Sequence, residues 1–205
     1  MEIKNKNKII SNLDSKKLGR DALNIVSFGI NSINISYFDA INNPNNEIDE
    51  NIEVKKFLGA HAILLFSKGF PAIYIQSLIG SRNNMGYKKD GVKRTINRSK
   101  FSILKIEKEL ALSGRRTKVF DGINKMLKVR KKYKQFSPFA KQKIVRSQKE
   151  LLIIKRSFGK KNILLAVNFS EKELVLPKHK KKISLNGLNH KSKLIHSYES
   201  CILEV

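Results

Sequence analysis

The side chains best suited to chemistry lie between residues 81 and 98, in two polar runs: Arg82-Asn83-Asn84, and Arg94 through Asn97 to Arg98. A guanidinium presents a planar fork of N–H donors, and an asparagine amide both donates and accepts. Such runs suit directed hydrogen bonds to a ligand dense in oxygen atoms. Their position in the chain carries as much as their types. An apolar helix ends at Ser67-Lys68-Gly69, and Pro71-Ala72-Ile73-Tyr74-Ile75 is predicted to be a short buried strand that opens into the polar loop. Substrate-binding residues of barrel enzymes stand in this way, at the carboxyl end of a parallel strand.

Other chemistries lack their residues. His179, His190 and His196 have neither zinc-ligand spacing nor cysteine partners, and His61 falls within a helix, where a satisfied core histidine is the ordinary case. The single cysteine, Cys201, excludes an internal disulfide and reads as a small buried hydrophobe. Neither a phosphate-cradling glycine loop nor a nucleophile elbow is present. No metal and no cofactor is expected.

The chain has 205 residues, 40 % of them hydrophobic, enough for one or two folded domains. No apolar run approaches the roughly 20 residues of a membrane span. The basic, polar amino-terminal segment has no apolar core of a secretory signal, so the cytoplasm is the expected compartment. Forty-two Lys and Arg face seventeen Asp and Glu, a formal net charge of +25. This would suit a partner such as nucleic acid. Yet the lysines are spread through every segment, in a chain also rich in Asn and Ile, whose codons share the same A/T bias. The densest clusters, 128–134 and 178–182, read as a solvated helix end and a solvated loop. Nucleic acid is therefore not the expected partner.

The elements that must position the polar loop follow from periodicity. Residues 1–27 form a lead-in of weak pattern, with a short helix near 16–26; 33–38 alternates as an extended segment, and 42–46 is a turn. A helix is predicted over 50–67, a shorter one over 104–112, and an amphipathic one over 115–133 with Val119, Phe120, Ile123, Met126 and Leu127 on one stripe. From 136 onward short β-rich runs recur, at 143–146, 151–157, 162–169, 173–176, 182–185, 194–196 and 201–205, with a hairpin turn at 158–162. Strands without intervening helices indicate an antiparallel sandwich. The fold class is therefore α/β, then all-β.

Several of these pieces resemble a known family in the order that family has them. Residues 34–41 (NISYFDAI) look like its NITYFDAL segment, and 69–75 (GFPAIYI) like GIPAIYF, its eighth barrel strand. Residues 77–84 (SLIGSRNN) look like SLLGSRND, 91–98 (GVKRTINR) like GRNRSINR, 119–123 (VFDGI) like the start of its eighth helix, and 164–170 (LLAVNFS) like a strand of its trailing sandwich. The resemblance is to the C-terminal part of the sucrose-phosphorylase-like group of glycoside hydrolase family 13, in the α-amylase superfamily. It implies the last part of a TIM (β/α)8 barrel over 28–135, followed by a small antiparallel β-sandwich, domain C, over 136–205.

The resemblance further implies retaining α-glucosyl transfer by three carboxylates: a nucleophile, an acid/base and a stabiliser of the charged transition state. All three precede the position of Asn34 in relatives. Here 33 residues precede it, without a histidine, and Glu2, Asp14 and Asp21 are not in matching contexts. Arg98 corresponds to the family arginine that contacts the glucosyl unit, with Asn97 and Arg94 supporting the loop; Arg82, Asn83 and Asn84 are candidates to line it. Asn31 and Ser32 stand where relatives carry a tyrosine followed by Gln or Glu on the acceptor loop. The expectation is a truncated α-glucosyl-transferring enzyme that is inactive alone. The alternatives are one subunit of a split phosphorylase or hydrolase, acting on an α-glucoside or sugar phosphate once an N-terminal half completes it, and a non-enzymatic basic polyanion binder.

Overall fold

The computed structural model describes residues 34–42, 48–147, 150–187 and 192–205. The expected lead-in at 1–27, the helix near 16–26, most of the 42–46 turn, and Asn31, Ser32 and His190 lie outside them. The chain forms two compact units, residues 1–49 with 74–117, and residues 50–73 with 118–205.

In the first unit, α1 (Tyr37–Ile41) starts at Ser36, whose Oγ accepts from the amide of Asp39 at 3.2 Å. The expected extended run therefore gives way to helix at Tyr37. α3 (Ile75–Leu78), α4 (Tyr87–Asp90), a 3-10 turn over Lys93–Asn97 and α5 (Ile103–Ala111) follow. The strand predicted at 71–75 is not formed. Residues 71–74 carry no ladder, Ala72, Tyr74 and Ile75 are exposed, and helix begins at Ile75. A central parallel strand is apolar because its neighbours cover it on both faces and both edges. No described residues pair with this segment, so its apolar sequence alone does not make it a strand.

The second unit is built on one antiparallel sheet. β1 (Lys141–Ser147), β2 (Leu151–Phe158), β3 (Lys161–Asn168), β5 (Lys181–Ser184) and β7 (Ser200–Glu204) lie in the order β1-β2-β3-β7-β5, and β4 (Leu174–Val175) pairs with β6 (Leu194–Ile195). The β2–β3 hairpin closes with Phe158 opposite Lys161, so two residues make the turn, and Gly159 takes the positive φ of 57° that such a turn requires. The edge strand β1 carries a bulge between Ile144 and Arg146. All seven predicted runs become strands, within one or two residues at each end.

The layers differ from the expected sandwich. One face of the sheet, with Leu151, Ile153, Leu164, Ala166, Cys201 and Leu203, packs against Leu176, just after β4, and Ile195 of β6, so the small β4–β6 ribbon lies over it. The opposite face is covered by helix: α2 (Glu50–Phe66) packs on β3 and β7. β3 is thus apolar on both faces, with Ile163 to Val167 buried throughout. α6 (Arg115–Lys132) buries Val119, Ile123, Met126 and Val129; Phe120 and Leu127 of the predicted stripe are half-buried. α6 crosses α2 at Gly122, where a Cβ would stand 2.5 Å from Leu58 Cδ1. No bulkier residue fits that crossing without moving Leu58.

Two arginines close the C-terminal end of α2. Arg130 donates to the carbonyl of Leu65 and, at 3.2 Å, to that of Gly69; Arg156 donates to Phe66 O at 2.8 Å and to Ser137 O at 2.7 Å. The carbonyls of Leu65 and Phe66 have no partner within the helix, and a positive charge there also meets the negative end of its dipole. Arg156 is completely buried, and the desolvation together with the charge of Arg130 lowers its pKa.

Candidate functional site

The Arg98 region folds into an open groove in the first unit, lined by Tyr74, Gln76, Asn97, Arg98 and Ser99. Tyr74 is the N-cap of α3, and Gln76 sits in its first turn. The 3-10 turn over Lys93–Asn97 delivers Asn97 and Arg98 opposite them. Two hydrogen bonds tie the walls together: Gln76 Nε2 donates to Ser99 O at 2.6 Å, and Tyr74 Oη donates to Asn97 O at 3.4 Å. Gln76 is buried, and its Oε1 has no hydrogen-bond partner; nor has the buried Oδ1 of Asn97. The Arg98 side chain is exposed and carries no ion pair among the described residues. A guanidinium fork and a phenol thus line one concave surface, and two buried acceptors without donors lie within its walls. Such a set fits a neutral ligand rich in hydroxyls, each able to donate and accept.

Of the residues expected from sequence, the structure brings Asn97 and Arg98 together in this groove. Arg94 is exposed in the last turn of the 3-10 helix and is not in the lining. Arg82 and Asn83 are engaged elsewhere. Arg82 Nη1 donates to the buried carboxylate of Asp39 at 3.1 Å and stacks over Phe38, its guanidinium carbon 5.1 Å from the ring centroid. The amide of Asn83 donates to the other Asp39 oxygen at 2.6 Å, and Asn83 Oδ1 accepts from Ser36 N at 2.7 Å. Asn84 N donates to Ile96 O at 2.8 Å, and its Oδ1 accepts from Gly86 N at 2.9 Å. These three residues fasten the loop to α1 and to the 3-10 turn. Gln76, Tyr74 and Ser99 were not anticipated. Their signal was available in part, since Tyr74 and Gln76 immediately follow the apolar PAI run that marks the segment.

The histidines make local bonds. The Nδ1 of His61 donates to Phe57 O at 3.0 Å, and burial lowers its pKa. His179 Nδ1 donates to Pro177 O at 2.8 Å, and His196 pairs with Glu173. Among the described residues no three His, Cys, Asp or Glu side chains are grouped to hold a metal ion, and no helix is long and apolar enough to cross a membrane.

No family model matches the chain. Its sequence is 34 % identical over 144 residues to a glucosylglycerate phosphorylase of Allomeiothermus silvanus, a match that covers 69 % of this chain and 26 % of that enzyme. The fold is similar to part of the crystal structure of sucrose 6F-phosphate phosphorylase from Thermoanaerobacter thermosaccharolyticum, with a TM-score of 0.53 and 23 % identity, over 67 % of this chain and 25 % of that one. It is also similar to part of an alpha-amylase from H. orenii, with a TM-score of 0.52 and 16 % identity, over 73 % and 35 % of the two chains. The chain spans about a quarter of the length of the curated relatives it matches. With the six motifs in their family order, these likenesses make it a relative of part of the sucrose-phosphorylase-like enzymes of glycoside hydrolase family 13, as its resemblance to their C-terminal part implied.

Proposed function

We infer that the chain carries the glucosyl-contacting rim of an α-glucosyl-transferring phosphorylase and, by itself, does not turn over α-glucosides. By descent, 28–135 is barrel-derived and 136–205 corresponds to domain C. The observation that carries this reading is the groove in which Arg98 meets Asn97, Gln76 and Tyr74 with two acceptors unpaired. Arg98 would donate to a sugar oxygen through its fork, and a side-chain turn of Gln76 or Asn97 would bring its unpaired acceptor to a sugar hydroxyl. The reaction of the family needs a nucleophile, an acid/base and a stabilising carboxylate. Asp39, the buried acid nearest the resemblance motifs, is held by Arg82 and the Asn83 amide and is not poised to attack an anomeric carbon.

The complement would be a catalytic half of the kind the family reaction requires, with an α-glucoside and phosphate as substrates and the cytoplasm as compartment. The test has two parts. Ligand-observed NMR with methyl α-glucoside should detect weak binding to the chain, and Arg98→Ala should abolish it without unfolding the protein. Glucose 1-phosphate should not be released by the chain alone and should appear once a catalytic half is added. Binding untouched by Arg98→Ala would sink the groove assignment. Phosphorolysis by the chain alone would sink the claim that it lacks catalytic carboxylates.

A further inference from the structure

The two densest lysine clusters of the sequence, read separately as a solvated helix end and a solvated loop, converge in the folded second unit. Lys132 and Lys134 come from the end of α6, Lys180 from the approach to β5, and Lys160 and Lys161 from the β2–β3 hairpin, and all five line one open groove of about 940 Å³. All five are exposed, and none of the five ammonium groups has an ion-pair or hydrogen-bond partner among the described residues. The carboxylate in the lining, Glu204, is already committed. Its Oε1 accepts from Tyr133 Oη at 2.6 Å and lies 3.9 Å from Lys181 Nζ. The groove therefore holds an excess of positive charge, five ammonium groups against Glu204 and the carboxyl group of Val205.

A genome-wide lysine bias explains how many lysines there are, but it gives no reason for three segments to place theirs around one concavity. Like charges so arranged repel one another, and that cost is recovered when a polyanion replaces their counterions. The size and chemistry of the groove narrow the ligand. It is too large for one phosphate and has no guanidinium fork of the kind that fixes a single anion. Lysines, as compact and mobile point charges, suit a chain of phosphates whose spacing need not match a rigid template. An exposed aromatic ring, Phe158, stands in the lining beside Lys160 and Lys161. A sulfated polysaccharide would pair with the lysines equally well and can pack only the C–H face of a sugar on that ring, whereas a nucleobase stacks its whole planar π surface.

We propose that this groove binds single-stranded nucleic acid, the lysines meeting successive phosphates and Phe158 stacking a base. The site is distinct from the Arg98 groove and does not depend on any glucosyl chemistry. The test is fluorescence anisotropy of a dye-labelled oligothymidine with the 205-residue chain over a series of salt concentrations. Five phosphate contacts predict a log–log salt slope of about −3.5. Lys160→Gln/Lys161→Gln should weaken binding roughly tenfold at low salt and make the slope shallower by about 1.4. Phe158→Ser should cost about fivefold or more with the slope unchanged. Lys105→Gln/Lys108→Gln on α5, equal in charge removed, should have little effect. Absent binding, or equal damage from the α5 pair, would overturn the proposal, because the charge would then act only as a diffuse whole. Heparin binding as tightly as the oligonucleotide, with Phe158→Ser silent, would overturn it in favour of a binder of polyanions at large.

Discussion

The sheet unit and the unit that carries Arg98 reach order by different means. In the sheet unit, five antiparallel strands repeat one interaction many times, and β2, β3 and β7 contribute apolar residues to a continuous core. In the other, single polar side chains fasten short irregular pieces. Asp39 takes donors from Arg82 and Asn83; Arg115 donates to Gly80 O at 3.0 Å; Arg116 reaches Ile79 O at 3.1 Å and Ser81 Oγ at 3.2 Å. A ladder distributes its stabilisation, so one lost contact is shared among neighbours. A stapled loop concentrates it, and the side chains left free, such as Arg98, are those available to a ligand.

Two arginines of the sheet unit, Arg130 and Arg156, break that contrast, and the second provides its sharpest test. Arg156 is a buried staple inside the ladder unit, spanning Phe66 O and Ser137 O. Arg156→Ala leaves Phe66 O without a donor, leaves Ser137 O with only the Ala140 amide at 3.1 Å, and opens a cavity, so unfolding by urea, followed through the circular dichroism of the sheet, should show a loss of about 3 kcal/mol. A loss below about 1 kcal/mol would mean that water replaces the guanidinium at little cost. In the stapled unit, Asp39→Ala should cost less, about 1–2 kcal/mol, and should act locally. Its readout is faster hydrogen exchange at the amides of Asn83 and Asp39, with the β2 and β3 amides unchanged.

The smallest effect is a pH dependence. Burial first, then the hydrogen bond and the charge of Glu204, push the Tyr133 phenol up to about 12. The folded state favours the neutral phenol. Its contribution is therefore complete below the ordinary phenol value near 10 and is lost as pH rises toward about 12. Tyr133→Phe should flatten part of the alkaline decline in stability, measured between those two values. An unchanged decline would assign it to other groups.

These differences also decide what the sequence made legible. The strands of the sheet unit were readable because short β-rich runs stand between turn residues with no helical pattern among them, so the signal from 151 to 169 lies within the strands themselves. The covering of the sheet was not readable. Nothing local to α2 says that Gly59 approaches Val167 rather than another helix, so closely that a Cβ on it would stand 3.7 Å from that side chain. The segment at 71–75 misled for the converse reason. Its apolar run resembles a strand, but strandhood is a property of neighbours, and no described residues pair with it. At the candidate site, Arg98 and Asn97 were visible as polar residues in a motif. The engagement of Arg82 with an aspartate 43 positions away was not, since ion pairs between distant segments leave no periodic trace. The meeting of the lysine clusters at one groove was hidden in the same way.

Cys201 has a practical consequence. It lies in β7 between Ala166 of β3 and Ser184 of β5, fully buried, in a chain with no second thiol. Burial, with a smaller push from Glu199 that Lys182 opposes, holds the thiol in its unreactive protonated form, with a pKa raised to about 12. A maleimide can meet it only when the strands on either side part. The natural protein therefore already contains a reporter at the centre of its sheet: the labelling rate counts opening events, and every modified molecule records one at a known place.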